Sequence, residues 1–200
     1  MRQLQLTASP DSDKMVLVAS DDGSREYAWV WNGATWVNRI ALTTSGGGDD
    51  RTDIYAAYAQ QSGDALVVYG AGSSSLRYRT WNGSVWSGEG SLAVPSPATG
   101  NVRWTTLASD PASDRIAVGV TTFNADSWTA IWSGTAWGDT QVLTQSAPGT
   151  TFPSVAVAFE AQSGDLVTLF GIGSSSVQYR ITNPGGAWIG GNAFSVGATP

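Results

Sequence analysis

The feature that most constrains the fold of this chain is an internal repeat of about fifty residues, which occurs four times along its 200 residues. Four tryptophans mark the repeat at spacings of 50, 51 and 51 residues, namely Trp36, Trp86, Trp137 and Trp188. Four aspartates mark it independently at spacings of 51, 50 and 51 residues, namely Asp13, Asp64, Asp114 and Asp165. A period of this size predicts copies of one supersecondary unit that stack to bury a shared core.

The second copy shows what each unit contains. Short segments at 54–59, 65–69 and 76–81 are rich in apolar, aromatic or β-branched residues and are separated by turn residues that include Gly, Ser, Asn and Asp, and a fourth segment contains Trp86. This pattern predicts four short strands joined by turns. The second strand of each unit is apolar at nearly every position. That favours sheets covered on both faces, as in a propeller, over a two-sheet sandwich in which each sheet has one solvent-exposed face.

The sequence therefore predicts an all-β fold, a single β-propeller domain of four four-stranded blades. The predicted blades cover approximately residues 3–50, 51–100, 101–150 and 151–200. The first and third units share a Pro-x-Ser-Asp turn, whereas the second and fourth share a Gln-Ser-Gly-Asp turn and a later Tyr-Arg pair. We therefore expect a duplicated two-blade unit.

Four blades leave three ways to cover the end faces of the stack. The ring closes compactly with four blades, a second chain completes an eight-bladed ring, or the four blades belong to a longer array. An unclosed ring exposes surfaces that pair with another chain. The pattern favours a propeller completed by oligomerisation or by further repeats.

Local motifs give more detailed predictions. Asn-Gly at 32–33 and at 82–83 predicts two-residue type I′ hairpins, in which both central residues have positive φ. The periodic aspartates are expected to cap backbone N–H groups in turns. Aromatic residues at 27, 29 and 31 of the first unit correspond to Arg77, Arg79 and Trp81 of the second, so arginine stacking on tryptophan between neighbouring blades is a further hypothesis.

The composition argues against several classes of partner. Charged residues make up only 13% of the chain, the net charge is −6 and Lys14 is the single lysine, so no nucleic-acid partner is expected. No run of about 18 apolar residues occurs, which predicts no membrane insertion. A largely uncharged polar surface favours an extracellular or cell-surface location, with any leader lying outside this sequence.

The inventory of reactive side chains is small. Histidine and cysteine are absent, and Glu26, Glu89 and Glu160 occupy unrelated positions of their repeats. We therefore predict a protein that is not an enzyme, with no catalytic residues, no metal and no cofactor. A carboxylate-pair glycosidase is the least favoured alternative, and the acidic segment 49–53 is the alternative for calcium.

Residues 64–87 carry the clearest family resemblance. They read Asp-Ala-Leu-Val-Val-Tyr, a loop, then Leu-Arg-Tyr-Arg-Thr-Trp-Asn-Gly-Ser-Val-Trp-Ser. This pattern resembles repeats of bacterial propeller lectins of the fucose-binding kind, and repeats of large bacterial surface proteins. In such lectins the sites lie between adjacent blades, where an aromatic ring stacks on the sugar and Arg or Glu bonds its hydroxyls. The resemblance implies six candidate ligand-binding residues: Trp81, Trp86, Trp132, Trp137, Arg79 and Glu89.

The favoured function is a non-enzymatic extracellular or cell-surface module that binds a protein or glycan ligand. The alternatives are a structural subunit whose partner is itself, in a homo-oligomer or filament, and a carbohydrate-binding lectin. A glycan-processing enzyme is the least favoured. Because the two kinds of unit alternate, a ligand site is expected twice or once rather than four times.

Overall fold

The computed structural model describes residues 1–44, 52–149, 151–172, 176–191 and 193–195, and within these ranges it contains strands and no helix. The strands form four separate antiparallel sheets, each with its first four strands in sequence order. We call these sheets blades 1 to 4. The prediction of an all-β fold with four-stranded blades is confirmed.

The strand bounds follow the repeat. Blade 1 contains β1 (Gln3–Ala8), β2 (Met15–Ser20), β3 (Glu26–Trp31) and β4 (Trp36–Thr43). Blade 2 contains β5 (Ile54–Tyr58), β6 (Ala65–Tyr69), β7 (Ser75–Trp81) and β8 (Gly90–Ala93). Blade 3 contains β9 (Val102–Ser109), β10 (Ile116–Thr122), β11 (Ser127–Trp132) and β12 (Trp137–Thr144). Blade 4 contains β13 (Val155–Phe159), β14 (Leu166–Ile172), β15 (Ser176–Thr182), β16 (Trp188–Gly190) and a short β17 (Phe194–Ser195) paired with β15.

Successive blades pack through their first strands. Strand β1 contacts β5, β5 contacts β9, and β9 contacts β13. Side-chain amides reinforce the first of these contacts, since Gln3 Nε2 donates to the Ile54 carbonyl at 2.7 Å. Among the described residues no comparable packing joins blade 4 to blade 1, so the blades form an open arc. The predicted blade limits stay a proposal, with one sheet inside each range.

Burial of the second strands follows the position of each blade in the arc. Strands β6 and β10 are buried at every residue because blades 2 and 3 have a neighbour on both sides. Strands β2 and β14 contain both buried and half-buried residues, since each end blade is covered on one side. The doubly covered strands expected from the sequence are therefore found in the two middle blades.

The hairpins after the third strands differ from the type I′ prediction, which is wrong. Gly33 and Gly83 have positive φ, at 95° and 86°, but Asn32 and Asn82 do not. Each asparagine instead accepts two backbone N–H bonds with its side-chain Oδ1, as Asn32 does from Ala34 and Thr35. The side chain provides the turn bonding, so a four-residue loop replaces the two-residue turn.

The turn aspartate of blade 3 joins it to blade 2. Asp114 Oδ1 accepts the backbone N–H groups of Gln61 at 2.9 Å and Ser62 at 2.8 Å. The predicted capping role is confirmed for Asp114, but the capped turn belongs to the preceding blade.

The stacking of Arg77 and Arg79 on the aromatic residues of blade 1 does not occur. Corresponding faces of successive repeats point the same way around the arc, so they cannot face each other. Arg39 of blade 1 lies over Tyr27 instead, at 4.4 Å from the ring centroid.

Blade packing predicts the effect of a methyl group in the middle of β10. A Cβ on Gly119 would lie 2.5 Å from Val155 Cγ1 in blade 4, and valine has little freedom to move aside. We expect Gly119→Ala to lower the free energy of unfolding by about 1–3 kcal/mol, measured by urea denaturation. Gly138→Ala is the matched control, because no atom lies within 4 Å of its Cβ position. Equal unfolding midpoints for the two variants would contradict this packing.

Candidate functional site

The six predicted site residues lie at two successive blade boundaries. Trp132 and Trp137 belong to the face of blade 3 that packs against blade 2. Their ring centroids are 5.5 Å apart, and Tyr78 of blade 2 contacts both rings at 5.3 and 5.8 Å. Trp132 is 6% exposed, so this pair takes part in the packing of blades 2 and 3.

The other four residues share one face of blade 2, which looks towards blade 1. Trp81 and Trp86 face each other across the hairpin with ring centroids 5.2 Å apart. Trp81 is buried, whereas Trp86 is half-buried at the outer side of the boundary. The indole N–H of Trp86 donates to the Asn38 carbonyl of blade 1 at 2.7 Å, which fixes the ring between the two blades.

A polar cluster continues this face beyond the tryptophan pair. Tyr69 donates its hydroxyl hydrogen to Glu89 Oε2 at 2.7 Å, and Arg77 Nη1 donates to Glu89 Oε1. Arg79 Nη1 donates to the Ser87 carbonyl at 2.6 Å, next to Trp86. Strand pairing places Tyr69 opposite Arg77, so the polar groups follow one another along β7.

Part of this cluster is accessible to solvent. Tyr69 is fully buried, but the side chains of Arg77 and Glu89 are 37% and 32% exposed. The Nε atoms of Arg77 and Arg79 are buried and have no hydrogen-bond partner among the described residues. The cluster thus offers a carboxylate and two guanidinium groups beside an aromatic ring, which we call the blade 1–2 strip: Tyr69, Arg77, Arg79, Trp81, Trp86 and Glu89.

The electrostatics of the strip keep its carboxylate charged. The hydrogen bond from Tyr69 lowers the pKa of Glu89 below its ordinary value, burial acts in the opposite direction, and Arg77 lowers the pKa further. Burial raises the pKa of the Tyr69 phenol, and the hydrogen bond to Glu89 adds to the rise. At neutral pH the site therefore presents an ionised carboxylate bound by a protonated phenol.

Sequence reasoning missed two members of the strip, Arg77 and Tyr69. Arg77 was detectable, because it lies two residues before Arg79 on a strand and so shares its face. Tyr69 ends the apolar strand β6 and looks like an ordinary core residue. Its link to Glu89 depends on the register of three strands and on the path of the loop before β8.

The strip occurs once among the described residues. The strand register aligns Arg77 with Tyr27 of blade 1, Trp128 of blade 3 and Gln178 of blade 4. Arg180 of blade 4 is the counterpart of Arg79, but its Nη1 donates to the neighbouring Tyr179 carbonyl. The side chains of the strip are thus not repeated in the other blades, and the number of ligand sites stays a prediction.

The calcium alternative at 49–53 lies mostly outside the described residues. Asp49 and Asp50 are not described, and Asp53 is buried beside Gly70. In the described part of the chain no three potential metal-ligating side chains gather at one place. That part likewise holds no helix with the length and apolarity to cross a membrane.

Comparison with solved structures identifies the fold. The Aleuria aurantia lectin, in a variant bound to α-methyl-L-fucoside, matches with a TM-score of 0.57 and 18% identity over 93% of this chain and 58% of the lectin. Another structure of a fungal lectin, described as a six-bladed β-propeller with a novel mode of fucose recognition for the Aleuria aurantia lectin, matches with a TM-score of 0.57 and 15% identity over 98% of this chain and 61% of its own. AofleA from Arthrobotrys oligospora matches with a TM-score of 0.58 and 14% identity over 98% of this chain and 57% of AofleA.

An enzyme also appears among the similar structures. The NanB sialidase from Streptococcus pneumoniae matches with a TM-score of 0.55 and 12% identity over 86% of this chain and 28% of its own. No protein-family model matches the sequence, and no curated protein is similar to it in sequence.

These similarities establish a β-propeller fold of the kind found in fucose-binding lectins, which confirms the family resemblance of the repeats at the level of the fold. The chain spans about 58% of the length of the first lectin it matches. The matching structures reported above for lectins and for AofleA come from Aleuria aurantia and Arthrobotrys oligospora, and the resemblance to bacterial repeats in particular stays a prediction.

The pKa of Glu89 gives a test of the polar cluster. Because folding lowers this pKa, the stabilisation is complete above the ordinary value of 4.5 and is lost as the pH falls through the folded value. We expect Tyr69→Phe to lower the free energy of unfolding by about 1 kcal/mol at pH 7, and by less as the pH drops below 4.5. Urea denaturation of both proteins across this pH range measures the difference.

Tyr55→Phe is the control for that measurement, because Tyr55 packs on the opposite side of blade 2, against blade 3. The difference in the free energy of unfolding between Tyr55→Phe and the unsubstituted protein should not change as Glu89 titrates. A Tyr69→Phe effect that is constant with pH would show that the phenol and the carboxylate are not coupled.

Proposed function

We propose that this protein is a non-enzymatic carbohydrate-binding module and that its blade 1–2 strip binds the sugar. The observation that carries the proposal is the side-by-side placement of an ionised carboxylate, two arginines and a half-buried tryptophan at one blade boundary. Pyranose rings have an apolar face and a rim of hydroxyl groups. The strip matches both parts, with Trp86 for the face and Glu89, Arg77 and Arg79 for the rim.

The polar members suit hydroxyl recognition because they supply opposite hydrogen-bonding roles. The Glu89 carboxylate accepts hydrogen bonds, whereas the guanidinium groups donate them. Bonds to ionised groups are stronger than bonds between neutral groups, which offsets the loss of water from the sugar. Tyr69 and the Ser87 carbonyl hold Glu89 and Arg79 in place, so less freedom is lost when a ligand binds.

The aromatic members suit stacking because one ring supports the other. The edge of Trp86 is fixed by the Asn38 carbonyl, and its ring rests on the buried Trp81. A flat, rigid and half-buried ring is a favourable surface for the apolar face of a sugar. Trp132 and Trp137 remain a second candidate position at the next boundary, where Tyr78 already contacts both rings.

The likeness to fucose-binding lectins supports a glycan ligand, and a deoxyhexose such as fucose is the first ligand to test. A non-catalytic role is supported by the commitment of Glu89 to Tyr69 and Arg77, since a glycosidase pair needs a second carboxylate across the substrate. The low charge of the chain supports an extracellular or cell-surface location.

Calorimetric titration with α-methyl-L-fucoside, preceded by a glycan array, tests the proposal. We expect Glu89→Gln and Arg77→Met each to weaken binding by on the order of tenfold or more, because each removes a charged hydrogen bond. Circular dichroism shows whether the variants stay folded.

Arg180→Met is the matched control. Arg180 is the blade 4 counterpart of Arg79, and its guanidinium lies 5.6 Å from the Phe170 ring centroid. Binding should be unchanged in this variant. An array without a bound glycan would refute the carbohydrate proposal, and equal losses in the control and in the strip variants would refute the assignment of the site.

A further inference from the structure

The two end faces of the arc are apolar, and no other described residue of the same copy packs over them as a blade would. Leu6 on blade 1 is 54% exposed, whereas Leu107, its counterpart 101 residues later on blade 3, is 8% exposed. Leu169 on blade 4 is half-buried, whereas Val68, its counterpart on blade 2, is fully buried. In both comparisons the buried residue lies between blades 2 and 3. This interior boundary therefore shows how such faces pack.

An aromatic wedge is the central feature of that boundary. The Tyr78 ring of blade 2 lies against Trp132 and Trp137 of blade 3. Its position is set by Gly90 on the neighbouring strand, where a Cβ would lie 2.2 Å from the tyrosine ring. The tyrosine belongs to one blade and the tryptophan pair to the next.

Blade 4 carries the tyrosine half of the same wedge. Tyr179 is the counterpart of Tyr78, 101 residues later, and it is half-buried. Gly191 is the counterpart of Gly90 at the same interval, and a Cβ there would lie 2.1 Å from the Tyr179 carbonyl oxygen and 2.6 Å from its ring. The glycine thus allows the neighbouring chain to approach the tyrosine closely, with no blade beyond Tyr179 among the described residues.

Blade 1 carries the tryptophan half. Trp31 and Trp36 are the counterparts of Trp132 and Trp137, and their ring centroids lie 5.5 Å apart, the same separation as in blade 3. Trp36 is 43% exposed. The pair is preformed and has an open side.

The polar contacts of the interior boundary also have their counterparts at the two ends. Asp114 of blade 3 accepts the N–H groups of Gln61 and Ser62 in the turn of blade 2. Blade 1 has Asp13 at the position of Asp114, and this exposed aspartate accepts no such bond from the described residues. The turn of blade 4 repeats the Gln-Ser sequence at 162–163.

We propose that blade 4 of one copy packs on blade 1 of a second copy, in the register in which blade 2 packs on blade 3. Tyr179 then lies on Trp31 and Trp36 of the second copy, and Asp13 of the second copy accepts the N–H groups of residues 162 and 163. Two copies joined at both ends form a ring of eight blades, within the four to eight that propellers contain.

The two boundaries differ at two positions of the contact. Glu160 of blade 4 stands where blade 2 has Ala59, and Trp29 of blade 1 stands where blade 3 has the fully buried Ala130. The proposed register therefore brings two larger side chains into the contact.

Sedimentation equilibrium of the whole chain over a range of concentrations tests this contact. We expect the unsubstituted protein to reach the mass of a dimer. Tyr179→Ala and Trp36→Ala should each raise the dimer dissociation constant by on the order of tenfold or more, because buried aromatic anchors dominate interfaces. Val85→Ala removes an exposed apolar side chain from the blade 2 hairpin and should leave the constant unchanged.

Mixing the variants tests the head-to-tail geometry. A dimer of one Tyr179→Ala chain and one Trp36→Ala chain keeps one intact boundary, so the mixture should dimerise more tightly than either variant alone. Asp13→Ala provides a second blade 1 variant that leaves the core untouched, and it should behave as Trp36→Ala does.

Any one of three results would overturn the proposal. The first is an unsubstituted chain that stays monomeric at every concentration at which it is soluble. The second is that the folded Tyr179→Ala and Trp36→Ala variants dimerise as tightly as the unsubstituted protein, and the third is that the mixture dimerises no more tightly than the separate variants. The readout is mass and not sugar binding, so failure here is distinct from failure of the proposed carbohydrate site.

Discussion

The structure depends on apolar packing between the faces of successive sheets. A four-stranded sheet with two apolar faces is stable only when both are covered, and the repeat supplies each blade with a neighbour that fits. The buried strands β6 and β10 show the outcome where two neighbours are present. The half-buried residues of β2 and β14 show where one is missing. The stability of the blades and the position of the candidate site follow from this constraint, and so does the self-association that we propose.

The candidate sugar site lies at the outer limit of one such boundary. Close to the arc centre, side chains such as Val67 are fully buried and pack against blade 1. Further out the same face of blade 2 changes to Arg77, Arg79 and Glu89, which carry charge to the solvent while Tyr69 anchors them to the core. The apolar packing thus fixes the blades, and the charged rim is the surface that we propose for the sugar.

The architecture could be predicted from the sequence because the repeat is regular. Evenly spaced tryptophans and aspartates gave the number of sheets and their order, and short apolar runs gave the strands. The hairpin geometry could not be predicted, since the side chain of Asn32 competes with the backbone for the turn N–H groups. The cross-blade role of Asp114 was also hidden, because its partners are separated from it by about fifty residues.

The site could be predicted in part, because side chains alternate regularly along a strand. Residues on one strand, such as Arg79 and Trp81, are linked by simple alternation, and the family resemblance supplied Glu89. Tyr69 was hidden because an apolar strand usually ends in a core residue, and its hydroxyl bond to Glu89 depends on the loop path. The sequence also did not show which neighbouring blade each face of a sheet contacts. Alternation along a strand assigns its side chains to two faces, but it does not show which face packs against the preceding blade.

The most direct test of the proposed function is nuclear magnetic resonance of the tryptophan indole N–H groups during titration with α-methyl-L-fucoside. Each assigned indole signal reports on one boundary of the arc. We predict that the Trp86 signal shifts with the ligand, while the signals of Trp132 and Trp137 stay in place. Shifts confined to Trp132 and Trp137, or no shift at any tryptophan, would contradict a sugar site on the blade 1–2 strip.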